Sequence, residues 1–73
     1  MVLTSLPIGM TGKITELKAH SNQRRRLLDL GLIPGTVVKA KRKSPSGDPI
    51  AYLIRGTTLA LRSEETNLVD VIF

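Results

Sequence analysis

The sequence predicts an all-β fold with one short helix, arranged as a small closed sheet. Short runs of alternating apolar and polar residues recur along the 73 residues, and glycine, proline or small polar residues separate them. This pattern is typical of short strands joined by turns. Only one stretch, early in the chain, has the spacing of leucines that predicts a helix. Because an open sheet of this size would expose unpaired edges, we expect five or six strands to close into a barrel.

Composition indicates a single small domain that spans residues 1–73. The absence of cysteine excludes disulfide bonds and cysteine-ligated metal centres. No apolar run approaches the length of a membrane span, and the N-terminal residues lack the basic start and long apolar core of a signal peptide. We therefore expect a cytoplasmic protein with no direct membrane insertion.

The first predicted element is a strand over Lys13–Leu17. Gly12 opens this strand, and Ile14 is its clearest core residue. His20 and the polar residues after it favour a turn and a helix cap. The chain is therefore expected to pass directly from the first strand into the helix.

The helix is predicted from the leucines that follow Gln23. Leu27, Leu28 and Leu30 fall within one arc of a helical wheel, so this face should be buried. Ser21 is the predicted N-cap, because its hydroxyl can accept from a free backbone N–H of the first turn. Helices commonly end in a left-handed residue, and a glycine stands in that place at position 31. The helix is expected to be short.

A tight corner is predicted between the helix and the second strand. Pro34 fixes φ at the first central position of a turn, and Gly35 supplies the positive φ that a type II turn needs next. A strand should then run from Thr36 to about Lys43. Its lysines alternate with other residues, and they are predicted to share the solvent face: Lys39, Lys41 and Lys43.

The rest of the chain is predicted to form a meander and a final strand. A hairpin loop, Ser44–Pro49, leads to a strand over Ile50–Arg55, and a glycine turn leads on to Thr58–Arg62. Ser63 is the predicted N-cap of a single helical turn. Leu68–Phe73 is the last strand, and alternation leaves its inward face open. Alternation does predict the inward residues of the other strands: Val38, Ala40, Ile50, Tyr52, Ile54, Leu59 and Leu61.

Three blocks of this sequence resemble the FeoA family, small cytoplasmic proteins that accompany the ferrous-iron transporter FeoB in bacteria. The most informative is RRRLLDLGLIPGTVV at Arg24–Val38. The other two are PIGMTGKI at Pro7–Ile14 and GDPIAYLIRGTTLALRSEE at Gly47–Glu65. The resemblance implies an SH3-like β-barrel with the helix inserted after the first strand. It also implies an accessory protein that binds the cytoplasmic part of FeoB, with a proposed stimulatory effect on its GTP-binding domain.

Three consecutive arginines, Arg24, Arg25 and Arg26, form the first candidate site. Cations in the first turns of a helix oppose its dipole unless they find an acidic partner. The functional interpretation is therefore a site for an anion or for carboxylates of a partner protein. The alternative is a solvated face on which Arg25 and Arg26 pair with Asp29, which lies within helical reach of both.

The second candidate site is an apolar patch on the face that alternation assigns to solvent. It comprises Val37, Ala51, Leu53 and Ala60, on strands that are predicted to be neighbours. A contiguous exposed apolar patch marks an interface, so we expect it to mediate self-association or docking to the transporter. The alternative is that a bulge at Gly56 or the short helix covers part of it.

No metal site, cofactor site or catalytic centre is predicted. The six carboxylates show no metal-ligand spacing, and His20 is the only histidine. Glu64 and Glu65 are adjacent, so their side chains diverge. No catalytic triad order, Walker loop or dinucleotide-binding motif is present, and we expect a protein that is not an enzyme.

Two other functions are weighed against transporter binding. A net charge of +5 and a pI near 10.3 favour anionic partners. One alternative is therefore an SH3-like barrel that binds RNA or the ribosome. The Gly-Lys-hydrophobic sequence at Gly12–Ile14 also favours this alternative. Only Tyr52 and Phe73 are aromatic, and this disfavours nucleic acid as a partner. The other is a regulatory module like the C-terminal domain of diphtheria-toxin-repressor-type regulators, but no helix-turn-helix precedes it here.

Overall fold

Five strands form one antiparallel sheet in the computed structural model, which describes residues 1–73. A 3₁₀ turn at Leu3–Ser5 precedes them. The elements follow in this order: β1 Thr11–Leu17, α1 Ser21–Asp29, β2 Val37–Lys43, β3 Ile50–Ile54, β4 Thr57–Leu61, α2 Ser63–Thr66 and β5 Val69–Ile72. The strand order is β4-β3-β2-β1-β5, so the predicted mostly-β fold with one early helix is confirmed. No helix of the structure is long and apolar enough to cross a membrane.

The core is a single cluster of 15 buried apolar residues. Ile14 is buried as predicted, and so are the inward residues of β2 and β3. In β4, Leu61 is buried and Leu59 packs at the edge of the cluster. The open question about the last strand is settled by Val69 and Val71, which are both fully buried. Alternation failed there because both faces of that strand are apolar.

Helix α1 ends in a Schellman motif centred on Gly31. Gly31 has φ +96°, and its N–H donates to the carbonyl of Leu28 at 2.9 Å. The N–H of Leu32 donates to the carbonyl of Leu27 at 3.1 Å, and these two leucine side chains are buried together. Leu28 and Leu30 are only partly buried beside them. The helix therefore turns back toward the barrel as soon as it ends.

Both predicted serine N-caps are wrong. His20 has the extended backbone of an N-cap, whereas Ser21 has φ +53° and is already the first residue of α1. In α2 the N-cap is Arg62, and Ser63 is again the first helical residue. The N–H of Ser63 donates to the carboxylate of Asp48 at 2.8 Å. A carboxylate from a distant loop thus satisfies the backbone N–H of the first residue of α2.

Two tight turns set the directions of β2 and β4. Gly35 has φ +96° and the N–H of Thr36 donates to the carbonyl of Ile33 at 2.9 Å, so the predicted type II turn is confirmed. Between β3 and β4, Arg55 and the glycine after it both have positive φ. This is the geometry of a type I′ turn, whose twist matches that of the paired strands.

A β-bulge in β2 changes which of its side chains share a face. Ala40 pairs with Tyr52, but Arg42 pairs with Ala51, so Lys41 is the extra residue. Arg42 therefore joins the outer face, which simple alternation had assigned to the lysines. The lysines of β2 are all exposed, as predicted, but they do not form one regular row.

The two edges of the sheet differ. Met1 and Val2 cover the edge of β5: the N–H of Val71 donates to the carbonyl of Met1 at 2.7 Å, and Val2 forms a bridge with Asp70. No strand pairs with the outer edge of β4. The barrel is therefore protected on one side and has a free strand edge on the other.

Candidate functional site

The three candidate arginines have different surroundings. Arg24 donates from Nη1 to the carbonyl of Leu17 at 3.2 Å and ties α1 to the end of β1. Arg26 forms an ion pair with Glu65 of α2. Arg25 is exposed and makes no ion pair. The three side chains therefore do not act as one unit.

The structure does not contain the alternative arrangement, in which Arg25 and Arg26 pair with Asp29. Arg26 instead reaches Glu65, which is only 9% exposed and also accepts a hydrogen bond from the N–H of Arg62 at 3.4 Å. A buried carboxylate needs a charged partner more than a solvated one does, because burial removes its hydration. Arg26 thus has a structural role, since it pairs with Glu65 and links α1 to α2.

The four apolar candidate residues separate into a group of three and a single residue. Ala51 lies opposite Ala60, and Leu53 lies two pairs further along the same two strands, on the same face. Leu53 also faces Lys39 on β2. Val37 precedes Lys39 on β2 and pairs with Lys13 on β1. The structure brings together Ala51, Leu53 and Ala60, and it leaves Val37 apart from them.

Val37 belongs to a second exposed apolar group. Lys13 of β1 lies between Val37 and Ile72, which is 61% exposed. Phe73 follows Ile72 and lines the same shallow depression across β1. Alternation does not determine the inward face of β5, so it predicts no role for either residue.

Ala60 lies at the centre of an open groove, which we call the Ala60 groove. It consists of two adjoining depressions that share Pro49 and Ala60. The first depression is lined by side chains of α1, α2 and the end of β4: Gln23, Arg26, Arg62, Glu64 and Glu65. The second is lined by residues of β2, the following loop and β3: Arg42, Lys43, Ser44, Pro45 and Ala51. The groove thus joins Arg26, Ala51 and Ala60 from the two predicted sites.

Cations outnumber free carboxylates along the Ala60 groove. Arg26 is paired with Glu65, and Arg62 lies 3.8 Å from Asp48. Arg42 and Lys43 make no ion pair. The floor between these charges is formed by the small side chains of Ala51 and Ala60. The groove is suited to an acidic partner that also presents small apolar groups.

Arg42, Lys43 and Arg62 are groove residues that sequence analysis missed. Lys43 was assigned to the solvated face of β2, and Arg42 to the opposite face, because the bulge has no sequence signal. Arg62 was placed at the end of a strand with no assigned role.

Tyr52 lies beneath this surface and is fully buried. Its hydroxyl donates to the carbonyl of Leu3 at 3.4 Å. Burial raises the pKa of Tyr52 above its ordinary value of 10.0, with a smaller increase from the charge of Asp48 and an opposing effect from a hydrogen bond with Thr66. Tyr52 therefore remains protonated at neutral pH and serves the core.

No three histidine, cysteine, aspartate or glutamate side chains come together in a way that could hold a metal ion. His20 lies exposed at the start of α1. The adjacent Glu64 and Glu65 diverge: the first is exposed, and the second is buried against Arg26.

Taken together, the sheet, the inserted helix and the open groove define a small SH3-like barrel domain. The chain belongs to the FeoA family, because the model of the FeoA domain matches residues 1–72. The family assignment made from the three sequence blocks is therefore confirmed.

Solved structures of FeoA proteins share this fold. FeoA from Chlorobium tepidum is 38% identical, with a TM-score of 0.88 over 97% of this chain and 68% of that one. FeoA from Stenotrophomonas maltophilia, an SH3 domain protein complexed with zinc, is 32% identical, with a TM-score of 0.86 over 99% of this chain and 89% of that one. Iron(II) transport protein A from Clostridium thermocellum is 30% identical, with a TM-score of 0.93 over 97% of this chain. This chain spans 44% of the length of the Clostridium protein.

Proposed function

We propose that this protein is a cytoplasmic accessory protein of ferrous iron uptake that binds the cytoplasmic part of a FeoB-type transporter. The Ala60 groove is the proposed contact surface. The observation that carries the proposal is the position of Arg42, Lys43 and Arg62 around the small residues Ala51 and Ala60. Family membership supplies the iron-uptake context.

The chemistry of the groove favours a protein partner with an acidic surface. Interfaces typically combine an apolar centre with a polar rim, and here the alanines form the centre and the basic side chains form the rim. Complementary charge accelerates association and selects partners more than it adds affinity. A net charge of +5 on a chain of 73 residues acts in the same direction.

The protein is proposed to act by contact alone and not as an enzyme. Binding can shift the equilibrium between the two nucleotide states of the transporter's GTP-binding domain only if those states bind this protein with different affinities. The effect on the transporter should therefore appear as a difference in affinity between the GDP form and the form with a GTP analogue.

Binding of the purified cytoplasmic domain of a FeoB-type transporter, measured by calorimetry in both nucleotide states, tests the proposal. Ala60→Glu places a carboxylate on the floor of the groove and should weaken binding by about tenfold or more, through lost packing and like-charge repulsion. Thr15→Glu is the matched control, since it makes the same charge change at an exposed position of β1. It should leave the affinity within about twofold.

Two outcomes would contradict the proposal. If the domain binds this protein in neither nucleotide state, the transporter is not the partner. Equal weakening by Ala60→Glu and Thr15→Glu would show that only net charge matters and that the groove has no special role.

Binding to RNA or the ribosome is the second candidate function. All four basic residues of β2 are exposed and none forms an ion pair: Lys39, Lys41, Arg42 and Lys43. A cluster of free cations attracts a phosphate backbone. Titration of labelled RNA with salt tests this function. Base-specific binding that persists at physiological salt would favour it, whereas a steep loss of binding without sequence preference would indicate only non-specific attraction.

A further inference from the structure

The outer edge of β4 has backbone groups that no part of the chain satisfies. A two-residue turn makes Ile54 and Thr57 a hydrogen-bonded pair. Hydrogen-bonded and non-hydrogen-bonded pairs then alternate along the antiparallel ladder, so Thr58 and Ala60 belong to non-hydrogen-bonded pairs. Thr58 and Ala60 therefore direct their N–H and C=O groups away from β3. Neither residue makes a backbone hydrogen bond to a turn, a loop or the helices.

The features that usually protect a free edge are missing from β4. Its sequence, TTLAL, contains no lysine, no proline and no charged residue, and its register with β3 is regular from Thr57 to Leu61. The other edge of the same sheet is covered by Met1 and Val2. Natural proteins commonly block exposed edges, so an unblocked edge beside a groove indicates that a strand is added there.

The charges near this edge favour an acidic partner strand over a second copy of the chain. Arg55 lies just before β4 and Arg62 just after it, and both are exposed. A second copy paired antiparallel about Leu59 would place its Arg62 beside Arg55, and each copy already carries a net charge of +5. Repulsion thus opposes a symmetric dimer at this edge, whereas carboxylates of an added strand would meet arginines at both ends.

We propose that β4 accepts an extended, acidic segment of a partner protein as a sixth strand. The backbone of the segment pairs with Thr58 and Ala60, and its carboxylates face Arg55 and Arg62. The inference rests on the proposed function for the location of the surface, and it adds the conformation and charge of the bound segment.

The test uses synthetic peptides and the full chain. One peptide of about seven residues alternates valine and glutamate and is long enough to cover β4. A second peptide replaces each glutamate with lysine. The glutamate peptide should shift the amide resonances of Thr58 and Ala60 and slow their hydrogen exchange by about tenfold at saturation. The lysine peptide should do neither.

Thr58→Pro provides an independent test of backbone pairing. Proline removes the N–H that points away from β3, a position where an edge strand tolerates it. Thr58→Val is the matched control, because it keeps both the N–H and the shape of the side chain. Both variants should remain folded by circular dichroism. Only the proline variant should lose binding of the glutamate peptide.

Several results would overturn strand addition. One is unchanged hydrogen exchange at Thr58 and Ala60 in wild-type protein saturated with the glutamate peptide. Equal binding of the two peptides would remove the role of the arginines. A dimer in sedimentation that Thr58→Pro abolishes would identify a second copy as the occupant. If Ala60→Glu weakens binding of the transporter domain but Thr58→Pro does not, the proposed function stands and strand addition fails.

Discussion

At the scale of single residues, Tyr52 connects the sheet to both short helical segments. Its ring is fully buried on β3, and its hydroxyl donates to Leu3 in the N-terminal 3₁₀ turn. Thr66 of α2 also contacts this hydroxyl and lies 2.6 Å from the hydroxyl of Thr4, measured between the two oxygens. The phenol thus supports the part of the barrel where the chain ends meet.

The raised pKa of Tyr52 predicts a loss of stability at high pH. The folded protein keeps the phenolic proton more tightly than the unfolded chain does, so stability falls as the pH rises from 10.0 toward the folded pKa. We expect the free energy of unfolding to decrease by up to about 1.4 kcal/mol per pH unit in this window. Urea unfolding at several pH values measures this, and the tyrosinate absorbance of the only tyrosine reports its ionisation.

Tyr52→Phe is the control for this pH dependence. The variant should be less stable at neutral pH because it lacks the hydroxyl, but its stability should change less above pH 10.0. Lysine titration affects both proteins alike, so the difference between them isolates Tyr52. Parallel pH profiles would show that Tyr52 ionises equally in the folded and unfolded states.

Gly35 has a backbone conformation that constrains substitution. A Cβ at Gly35 would meet no atom within 4 Å, so the effect of substitution comes from φ +96° alone. Gly35→Val should cost about 1–3 kcal/mol, because a β-branched residue resists this region. Gly35→Asn should cost clearly less, since asparagine tolerates positive φ. Thermal unfolding of both variants measures this, and equal losses would argue against a backbone cause.

At the scale of elements, α1 contributes to stability mainly through one leucine. Leu27 is 1% exposed, whereas Leu30 is only partly buried. Leu27→Ala should therefore cost about 2–5 kcal/mol, and Leu30→Ala about 1–2 kcal/mol. Chemical denaturation of the two variants gives the comparison. A larger loss for Leu30→Ala would mean that α1 is rotated about its axis relative to this structure.

Ile33 shows why periodicity alone overestimates the buried face of this region. It follows α1 and is apolar, and these properties favour packing beside Leu32. Leu32 is fully buried, but Ile33 is 40% exposed because the Schellman motif and the type II turn reverse the chain between them. Two adjacent residues at a sharp corner cannot both face the core.

The strands were predictable because their signal is local, whereas the helix caps were not. Alternation identifies inward residues wherever only one face is apolar, as at Val38 and Ala40, which alternate with exposed lysines in β2. The N–H of Ser63 at the start of α2 donates to Asp48, which approaches Ser63 only in the folded chain. Likewise, nothing in the residues near Lys41 predicts the bulge that moves Arg42 to the outer face.

At the scale of the whole molecule, the candidate site was predictable only in part. Ala51 and Ala60 were expected to be neighbours, and the register confirms this. Val37 was grouped with them on the assumption that one apolar patch covers the sheet. Lys39 is the residue of β2 that faces Leu53, and Val37 instead lines a depression with Lys13, Ile72 and Phe73. The groove itself depends on how α2 and the Pro49 loop pack, which the sequence does not determine locally.

Matched substitutions should show which apolar surface binds a partner. Leu53→Glu lies beside the Ala60 groove, and Val37→Glu makes the same charge change on the separate surface. We expect both proteins to remain folded, but only Leu53→Glu should weaken binding of the transporter domain, by about tenfold. Calorimetry and sedimentation measure binding and self-association. The reverse result would assign the interface to Val37, Ile72 and Phe73.

The position of β5 beside β1 determines which contacts are slow to form. β2, β3 and β4 follow one another in the chain and also in the sheet. β1 and β5 are also adjacent, but almost the whole chain lies between Ile14 and its partner Val71. Joining them closes a long loop, which costs conformational entropy before any contact stabilises it.

The three-stranded meander should therefore form in the folding transition state, and the β1–β5 pair should form after it. In stopped-flow experiments, Ile54→Val in the meander should mainly slow folding, whereas Ile14→Val in β1 should mainly accelerate unfolding. The reverse pattern would mean that the chain ends meet first. Late formation of the β1–β5 pair leaves the edges of β1 and β2 exposed during folding. Aggregation of the nascent chain should therefore depend on how soon β5 is synthesised and can pair with β1.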